Sequence, residues 1–443
     1  MDNNMVVNVI GAGLAGCECA YVLAKNGIKV KLYEMKPKYK SEAHKSDNFA
    51  ELVCSNSLKS DSITNACGLL KKEMEILDSL FVKAAKETRI PAGQALAVDR
   101  DRFSEQITNE IKNNQNIEII YEKIDDINKL EGIVVIATGP LTDEVLFNNI
   151  RKIVGEDSMY FYDAAAPIVE ADSINMDIAY VMDRYGEAGK GDYINLPMNK
   201  EEYMRFYNEL VKAKEAPRHE FDKIVLFEGC MPIEHMAKRG EKTLVFGPLK
   251  PVGLDNPKTG EKNYAVVQLR AENEEKTMYN LVGFQTSLAF GEQSRVFRMI
   301  PGLENAIFAR YGVMHKNSYI NGGNILNNNF CMKENDKVYF AGQISGVEGY
   351  VESAASGMIV AYSIINRFKG KNIVFPDTTM LGSLAKYVST PNSNFQPMNA
   401  NFGIIQPLDV RIKDKKEKYQ RLADISIETI NKFARELRGE KHE

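Results

Sequence analysis

The chain has 443 residues, of which 44% are hydrophobic and 26% charged, and its formal net charge is -4 at pH 7. This is the composition of a globular protein, and the length allows two or three domains or one large α/β domain with an insertion. The acidic balance excludes a generally basic, nucleic-acid-coating protein but leaves room for a local basic patch.

Targeting signals and metal or disulfide frameworks are absent from the sequence. The N-terminus leads directly into an apolar segment, without the basic and apolar regions of a signal peptide. No apolar run approaches the roughly 18 residues of a membrane span. The six cysteines are scattered and lack zinc-ligand spacing. We therefore expect a cytoplasmic protein with no metal, no membrane partner and no evident protein partner.

The first 34 residues have the pattern of a complete β-α-β unit. Val6–Ile10 is a short apolar run typical of a buried parallel strand, and a glycine-rich loop follows it at once. Residues 17–26 predict a helix, which ends before Gly27, and residues 28–33 predict the second strand. Glu34 stands at the end of that second strand.

The loop reads Gly11-Ala12-Gly13-Leu14-Ala15-Gly16, the dinucleotide-binding pattern in its proper context. Gly11 permits a tight turn, Gly13 lets backbone N–H groups approach a pyrophosphate, and Gly16 lets the helix pack closely on the strand. The N-terminus of the helix adds partial positive charge. Glu34 is placed to accept hydrogen bonds from a ribose hydroxyl.

The rest of the chain divides into two kinds of pattern. A strand at 133–137, a strand at 338–341 and a helix at 351–366 continue the α/β alternation, whereas residues 163–322 do not show it. Helices are also predicted at 69–87, 101–112 and within the charged tail 411–443, and a strand at 117–121. We therefore predict an α/β fold: a Rossmann-type, glutathione-reductase-like dinucleotide-binding domain (1–165 and 325–443) with an inserted α+β substrate domain (166–324).

A second glycine-containing segment indicates that the dinucleotide is FAD. A strand ending in Ala341-Gly342 leads into Gln343 and then Gly346. A segment so far along the sequence that comes back to the cofactor suits a long molecule such as FAD. We expect Gly342, Gln343 and Gly346 to contact its ribityl and flavin part. A second Gly-x-Gly-x-x-Gly motif is absent, which argues against a separate NAD(P)H domain.

Two cysteines lie outside apolar helix patterns. Cys54 is flanked by polar residues, with Lys45 and Lys59 as candidate neighbours that favour a thiolate, and Cys230 lies between Gly229 and Met231. A cysteine is by default a small buried hydrophobic residue, and we expect that of Cys17, Cys19, Cys67 and Cys331.

Seven long strings carry a family resemblance. They are residues 11–16, 54–60, 91–100, 227–232, 246–254, 297–304 and 341–350. The first is the glycine loop. The second reads Cys54-Ser55-Asn56-Ser57-Leu58-Lys59-Ser60, the third begins Pro91-Ala92-Gly93-Gln94, and the fourth reads Phe227-Glu228-Gly229-Cys230-Met231-Pro232. From about Val6 to the C-terminal helix, the chain closely resembles the folate- and FAD-dependent tRNA (uracil-5-)-methyltransferases. Two positions depart from the family pattern: Gln94 replaces a glycine and Phe290 replaces a tryptophan.

The resemblance implies an activity and its reactants. A methyl group is built on carbon-5 of a uridine in the tRNA T-loop, the carbon comes from methylenetetrahydrofolate, and the electrons come from FAD reduced by NAD(P)H. Cys54 and Cys230 then correspond to the two catalytic cysteines, with Cys230 favoured as nucleophile and Cys54 as acid/base, and with the reverse assignment open. Phosphate contacts are sought among Lys250, Arg270, Arg295, Arg298 and Arg310.

Four alternatives remain at this point. A paralogue that methylates a ribosomal RNA uridine has nearly the same motifs. The larger wobble-uridine flavoprotein carries an extra C-terminal helical domain, for which the tail after 349 is too short. A small-molecule flavin oxidoreductase agrees with the acidic charge but not with the cysteine strings, and a non-catalytic flavoprotein is the fourth.

Overall fold

The structure is a computed structural model of the chain. It describes residues 6–41, 43–155, 159–164, 166–216, 231–272, 275–312, 314–392, 395, 397–410 and 412–439. The strands, numbered in chain order, are β1 (Val6–Ile10), β2 (Lys29–Tyr33), β3 (Ser57–Ser60), β4 (Arg89–Ile90), β5 (Ala95–Val98), β6 (Ile117–Ile120), β7 (Ile133–Ile136), β8 (Met159–Ala164), β9 (Ile168–Glu170), β10 (Tyr180–Val181), β11 (Tyr193–Met198), β12 (Ala265–Ala271), β13 (Met278–Leu281), β14 (Phe308–Arg310), β15 (Met314–Tyr319) and β16 (Val338–Phe340).

The helices are numbered in the same way. They are α1 (Leu14–Lys25), α2 (Ala66–Ile76), α3 (Leu80–Glu87), α4 (Arg100–Lys112), α5 (Glu144–Val154), α6 (Lys200–Lys212), α7 (Ile233–Lys238), α8 (Thr243–Phe246), α9 (Phe290–Phe297), α10 (Gly322–Ile325), α11 (Tyr350–Phe368), α12 (Met380–Ser389) and α13 (Lys415–Arg438).

A five-stranded parallel sheet carries the first hydrophobic core. Its strand order is β16-β7-β1-β2-β6, and Val7 of the central strand pairs with Val30 of β2 and Ile133 of β7. The strands are apolar because helices cover the sheet, as parallel sheets require. The chain leaves this sheet after β7 and returns to it at β16, beside β7. The predicted strands at 6–10, 28–33, 117–121, 133–137 and 338–341 are thereby confirmed within one residue, and the α/β Rossmann-type class with them.

A six-stranded sheet, which is antiparallel, carries a second core. Its order is β10-β11-β12-β13-β9-β14, and its longest pairing joins Tyr193–Met198 to Ala265–Ala271. Residues of β11 and β12 alternate in side-chain direction, as strands do, and Leu196, Val267 and Leu269 are fully buried in this core. The helices α6, α7 and α9 pack against it.

A small sheet of order β3-β5-β4 joins the two cores. Leu96 and Val98 of β5 pack in the first core, whereas Ala97 between them packs in the second. This division follows from the two-residue period of a strand. Because β3 begins at Ser57, the segment around Cys54 enters this sheet at the junction of the cores.

The single helix predicted at 69–87 is wrong: two helices, α2 and α3, occupy this segment. Asp78 adopts a left-handed conformation with φ of 60°, which an α-helix cannot continue through. Ser79 then caps α3, since its side chain accepts a hydrogen bond from Val82 N–H.

Helix α11 packs closely on helix α1, beneath the glycine loop. A Cβ atom at Gly357 would lie 2.2 Å from the Ala15 carbonyl oxygen, so only glycine allows the two helices this contact. Helix α11 therefore fixes the position of the first turn of α1, which is the turn that faces the expected cofactor.

Glu18 gives this region a testable pH dependence. Its side chain is buried on α1 and accepts a hydrogen bond from Phe81 N–H at 2.8 Å, and burial raises its pKa from 4.5 to about 7. An acid whose pKa is raised by folding favours the folded state at low pH, and this contribution is lost as pH rises from about 4.5 to 7.

We expect Glu18→Gln, which keeps an acceptor but cannot ionise, to gain stability relative to the wild type as pH rises. The gain between pH 5 and 8 should reach at most about 3 kcal/mol. Chemical denaturation of both proteins at both pH values measures it, and the other titrating groups cancel in the difference. A difference in unfolding free energy that does not change with pH would contradict the assignment.

Candidate cofactor and active site

The glycine loop has the backbone geometry of a phosphate cradle. Gly11 has φ of +98°, and a Cβ atom there would lie 2.6 Å from the Ala137 carbonyl oxygen. A Cβ atom at Gly16 would lie 1.8 Å from the Gly11 carbonyl oxygen, so Gly16 is needed where α1 crosses the loop. At Gly13, by contrast, a Cβ atom would meet open space. The loop is therefore closed on the protein side and open where a pyrophosphate would lie.

Glu34 is held rigidly at the edge of this loop. Its carboxylate accepts hydrogen bonds from Ala12 N–H at 3.0 Å and from Lys36 N–H at 2.8 Å, and the residue is buried. Both oxygens keep further lone pairs that can accept from a hydroxyl group. The backbone N–H of Ala12 is used by Glu34, so it is not one of the donors available to a phosphate.

A cavity opens above the loop. Of the predicted cofactor residues, those that line it are Gly11, Ala12, Gly13, Leu14, Ala15, Glu34, Gly342 and Gln343. The rest of the wall includes residues 122–124 and 137–143. Gly16 and Gly346 do not line the cavity. Gly16 lies behind the wall, where α1 packs against the loop, and a Cβ atom at Gly346 would lie 2.5 Å from the Phe395 ring. The elongated wall, from β2 to the β16 end, suits a long dinucleotide such as FAD.

A second cavity adjoins the first. The two have five wall residues in common: Val53, Pro140, Leu141, Gln343 and Tyr350. Cys54 lines only the second cavity, together with polar residues such as Asn280, Gln285 and Glu348. A ligand in the second cavity can therefore touch both Cys54 and the end of a cofactor that fills the first.

The backbone at Cys54 is anchored by Tyr350, the first residue of α11. The Tyr350 hydroxyl oxygen accepts hydrogen bonds from the N–H of Cys54 at 2.6 Å and of Ser55 at 3.2 Å. Burial raises the pKa of Tyr350 well above its usual value, so the hydroxyl stays protonated. A neutral hydroxyl thus fixes the loop without placing a negative charge beside the thiol.

Three arginines surround the same loop. Arg100 donates to the carbonyl oxygens of Leu52 at 2.8 Å and Cys54 at 3.3 Å, and Arg310 donates to the Val53 carbonyl oxygen. Arg270 is buried and donates to Ser55 Oγ at 2.9 Å and to Asn56 Oδ1 at 3.2 Å. Glu272, at 2.6 Å from Arg100 Nε, is the carboxylate paired with this cluster. The excess of positive charge favours an anion at Cys54.

The basic residues that the sequence offered for these roles have partners of their own. Lys59, a candidate neighbour of Cys54, lines the same cavity, and its ammonium group pairs with buried Glu352 at 3.2 Å. Arg270, a candidate phosphate contact, is buried and lines the Cys54 cavity while it donates to Ser55 and Asn56. Arg295 is paired with Glu209 and Glu292 at the surface, so its charge is largely neutralised.

We expect Arg310→Met to slow alkylation of Cys54 by iodoacetamide at pH 7 by roughly threefold to tenfold, because one positive charge near the thiolate is lost. Arg310→Lys keeps the charge and should react at a nearly normal rate. Arg298→Met, at an exposed arginine of the same region, is the matched control. Peptide mass spectrometry identifies the alkylated residue, and equal rates for Arg310→Met and wild type would refute the electrostatic role.

Cys230 lies outside the described residues. The chain is described again from Met231, and Ile233 N–H, three positions after Cys230 in the sequence, donates to the Gln285 carbonyl oxygen at 2.7 Å. Gln285 lines the Cys54 cavity. Glu234 is fully buried and accepts from Thr286 and Ser287, which fixes the start of α7 at this wall.

The other four cysteines are buried, as expected. Burial raises the pKa of Cys17, Cys19, Cys67 and Cys331, and for Cys67 the pKa is about 11. Thiols of this kind are unreactive near neutral pH. Within the described ranges, no helix is long and apolar enough to cross a membrane, and the same ranges contain no cluster of metal-ligating side chains.

Comparisons with known proteins agree with this geometry. Residues 6–372 match the family described as glucose inhibited division protein A. The methylenetetrahydrofolate–tRNA-(uracil-5-)-methyltransferase TrmFO of Fusobacterium nucleatum is 57% identical over 425 residues, which cover 96% of this chain and 98% of that protein. The TrmFO proteins of Acetivibrio thermocellus and Bacillus subtilis are 55% and 52% identical, over 96% and 98% of this chain and 98% and 100% of their own lengths.

The solved structure of GidA from Aquifex aeolicus superimposes with a TM-score of 0.72 at 18% identity, over 99% of this chain and 74% of that one. At this identity the likeness establishes the fold alone. The sequence relatives establish more, because their identity extends over nearly the whole chain. The chain therefore belongs to the glucose inhibited division protein A family and, within it, to the methylenetetrahydrofolate–tRNA-(uracil-5-)-methyltransferases.

Proposed function

We propose that this protein methylates carbon-5 of a uridine in the T-loop of tRNA, with methylenetetrahydrofolate as the one-carbon donor and FAD, reduced by NAD(P)H, as the reductant. One observation supports this most strongly: the cavity lined by Cys54 adjoins the glycine-lined cavity and shares five wall residues with it. A pyrimidine and a one-carbon donor beside Cys54 would therefore lie next to a redox cofactor in the first cavity.

The residues of the first cavity fit FAD. Gly13 and the N-terminus of α1 would face the pyrophosphate, Glu34 would accept from the ribose hydroxyls, and Gly342 and Gln343 would lie toward the flavin end. Bound there, FAD supplies the hydride that completes the methyl group, and NAD(P)H restores its reduced form. Gly16 and Gly346 support this site through packing at α1 and at Phe395.

The two cysteines can supply the nucleophile and the base that methylation of uracil at carbon-5 requires. Carbon-5 of uracil is a poor nucleophile, and addition of a thiolate to carbon-6 turns the ring into an enolate that can bond to the methylene carbon. A base must then remove the carbon-5 proton while the bond from the methylene carbon to the folate nitrogen breaks, so that tetrahydrofolate leaves and an exocyclic methylene remains on carbon-5. Hydride addition to this methylene completes the methyl group and expels the thiolate from carbon-6. We assign Cys230 as the nucleophile and Cys54 as the acid/base. The positive cluster around Cys54 suits this, since the thiolate is the form that accepts a proton.

The antiparallel half of the molecule is proposed to receive the RNA. We assign residues 166–324 as the inserted substrate- and RNA-binding domain and residues 1–165 with 325–443 as the FAD-binding domain. The target uridine must leave its stack to reach the Cys54 cavity. The second cavity draws its wall from both parts of the chain, from Cys54 and Tyr350 on one side and from Asn280 and Gln285 on the other.

The test of the RNA assignment compares two substrates. Unmodified tRNA and a ribosomal RNA fragment are incubated with the FAD-loaded protein, NAD(P)H and methylenetetrahydrofolate, and 5-methyluridine is mapped in each. We expect it in the tRNA T-loop. Methylation of the ribosomal fragment alone would transfer the assignment to the ribosomal paralogue. If the protein does not bind RNA, or if its affinity for RNA does not fall with added salt, the RNA assignment is wrong and the protein is a small-molecule flavin oxidoreductase.

A further inference from the structure

Three aromatic rings form a continuous stack at the surface of the second core. The ring centroids of Phe290 and Tyr311 lie 4.9 Å apart and those of Tyr311 and Phe308 lie 5.1 Å apart, and each pair is within 17° of parallel. The guanidinium group of Arg298 lies 5.9 Å from the centroid of the Phe308 ring at one end. At the other end Phe290 is 54% exposed. We call Phe290, Tyr311 and Phe308 the aromatic ladder.

The ladder is held in place by polar contacts on both sides. The Tyr311 hydroxyl and Ser294 Oγ are hydrogen-bonded at 2.8 Å, and Ser294 lies one turn after Phe290 on α9. Arg298 donates to the Ala306 carbonyl oxygen from Nε at 3.1 Å and from Nη2 at 2.9 Å. The rings are therefore preorganised, and a further flat ring could stack on Phe290 with little loss of side-chain entropy.

The ladder is next to the active-site loop but outside the cavities. Arg310, which lies between Phe308 and Tyr311 in the sequence, donates to the Val53 carbonyl oxygen beside Cys54. None of the three rings belongs to the described wall of either cavity. A ligand that stacks on Phe290 must therefore approach from the surface while another part of the same ligand reaches Cys54.

An RNA substrate meets this requirement, because it carries further bases on both sides of the uridine that enters the Cys54 cavity. The charge beside the ladder also suits RNA: Arg298 is exposed, and its hydrogen bonds within the described part of the chain go to a carbonyl oxygen rather than to a carboxylate.

We propose that the exposed face of Phe290 is the stacking platform for an unpaired nucleobase of the RNA substrate, a near neighbour of the uridine that is methylated. This rests on the proposed function, since it takes RNA as the substrate. Every nucleobase has a π-face, so the platform contributes affinity without reading sequence.

The decisive variants are Phe290→Leu and Phe290→Trp. Leucine keeps an apolar contact with Tyr311 but cannot stack a base, and we expect it to weaken binding of unmodified tRNA by about 5- to 150-fold. The slope of log Kd against log salt should stay unchanged, because no phosphate contact is lost. Tryptophan should bind at least as well as phenylalanine. FAD content and the KM for methylenetetrahydrofolate should be normal in both variants.

The tryptophan variant also gives a direct signal, because the natural chain contains no tryptophan. Its indole fluorescence should change when tRNA is added at saturating concentration. Wild-type affinity of the leucine variant for tRNA, or unaltered fluorescence of the tryptophan variant, would overturn the proposal. A raised KM for methylenetetrahydrofolate with unchanged tRNA affinity in the leucine variant would also overturn the proposal, because Phe290 would then contact the folate donor rather than the RNA.

Failure of the platform and failure of the proposed function are separable. If wild-type protein methylates tRNA but Phe290→Leu binds tRNA as tightly, the platform alone is wrong. If wild-type protein neither binds nor methylates tRNA, the proposed function is wrong and the platform falls with it.

Discussion

Replacing either Cys54 or Cys230 by alanine should reduce methylation of tRNA by at least about a hundredfold, because each thiol performs a separate chemical step. Proton transfer by a positioned side chain contributes about 10²- to 10⁴-fold, and loss of a nucleophile removes covalent activation of the ring entirely. Turnover with labelled donor measures both variants against the wild type. Cys331→Ala, at a buried cysteine remote from the mechanism, is the matched control and should cost about 1 kcal/mol of stability at most.

The two variants should differ with RNA that contains 5-fluorouridine. Fluorine at carbon-5 blocks only the late loss from that carbon, so an adduct accumulates wherever the nucleophile is intact. Under our assignment Cys54→Ala forms the covalent adduct and Cys230→Ala does not. The opposite result would exchange the two roles, and near-normal methylation by both variants would refute the thiol mechanism altogether.

Replacing Gly13 by leucine should leave a folded protein with less than about a tenth of the wild-type FAD. A Cβ atom at Gly13 meets nothing within 4 Å, so the protein itself tolerates the change, while the longer side chain enters the space where the pyrophosphate would lie. The flavin absorbance per protein and the melting temperature of the apoprotein measure the two effects. Full flavin content in Gly13→Leu would contradict the placement of the cofactor.

Two further glycines serve as controls for this result. Gly291→Leu places the same side chain at another glycine whose Cβ position is open, and it should retain FAD. Gly16→Ala should instead impair folding, because its Cβ atom would lie 1.8 Å from the Gly11 carbonyl oxygen. Loss of flavin with a normal fold is thus expected of Gly13 alone among the three.

The sequence predicted the parts of the fold that local patterns specify. The strand Val6–Ile10, the glycine loop and the strand that ends before Glu34 are contiguous in sequence, and each has a compositional signature. The break at Asp78 was missed, because two consecutive amphipathic helices show the same apolar periodicity as one long helix. The signal that separates them is the Asp78-Ser79 pair, a turn residue followed by an N-cap residue.

The surroundings of Cys54 were beyond local patterns. Its backbone partners Arg100 and Tyr350 are 46 and 296 residues away in the sequence, and Arg310 is 257 residues from Val53. Sequence proximity suggested Lys59 instead, whose charge pairs with Glu352. A lone arginine in a strand gives no sign of the loop that it will contact, so only the tertiary structure could identify this cluster.

Transfer of the one-carbon unit to tRNA tests the central claim most directly. The FAD-loaded protein is incubated with unmodified tRNA, NAD(P)H and methylenetetrahydrofolate labelled in its methylene group, and the label is located by nuclease digestion and mass spectrometry. We predict label in the methyl group on carbon-5 of one T-loop uridine, and strongly reduced label with Cys54→Ala and with flavin-depleted Gly13→Leu. Label that remains in the folate pool while NAD(P)H is consumed, or equal transfer by Cys54→Ala, would contradict a methyltransferase built on these two joined cavities.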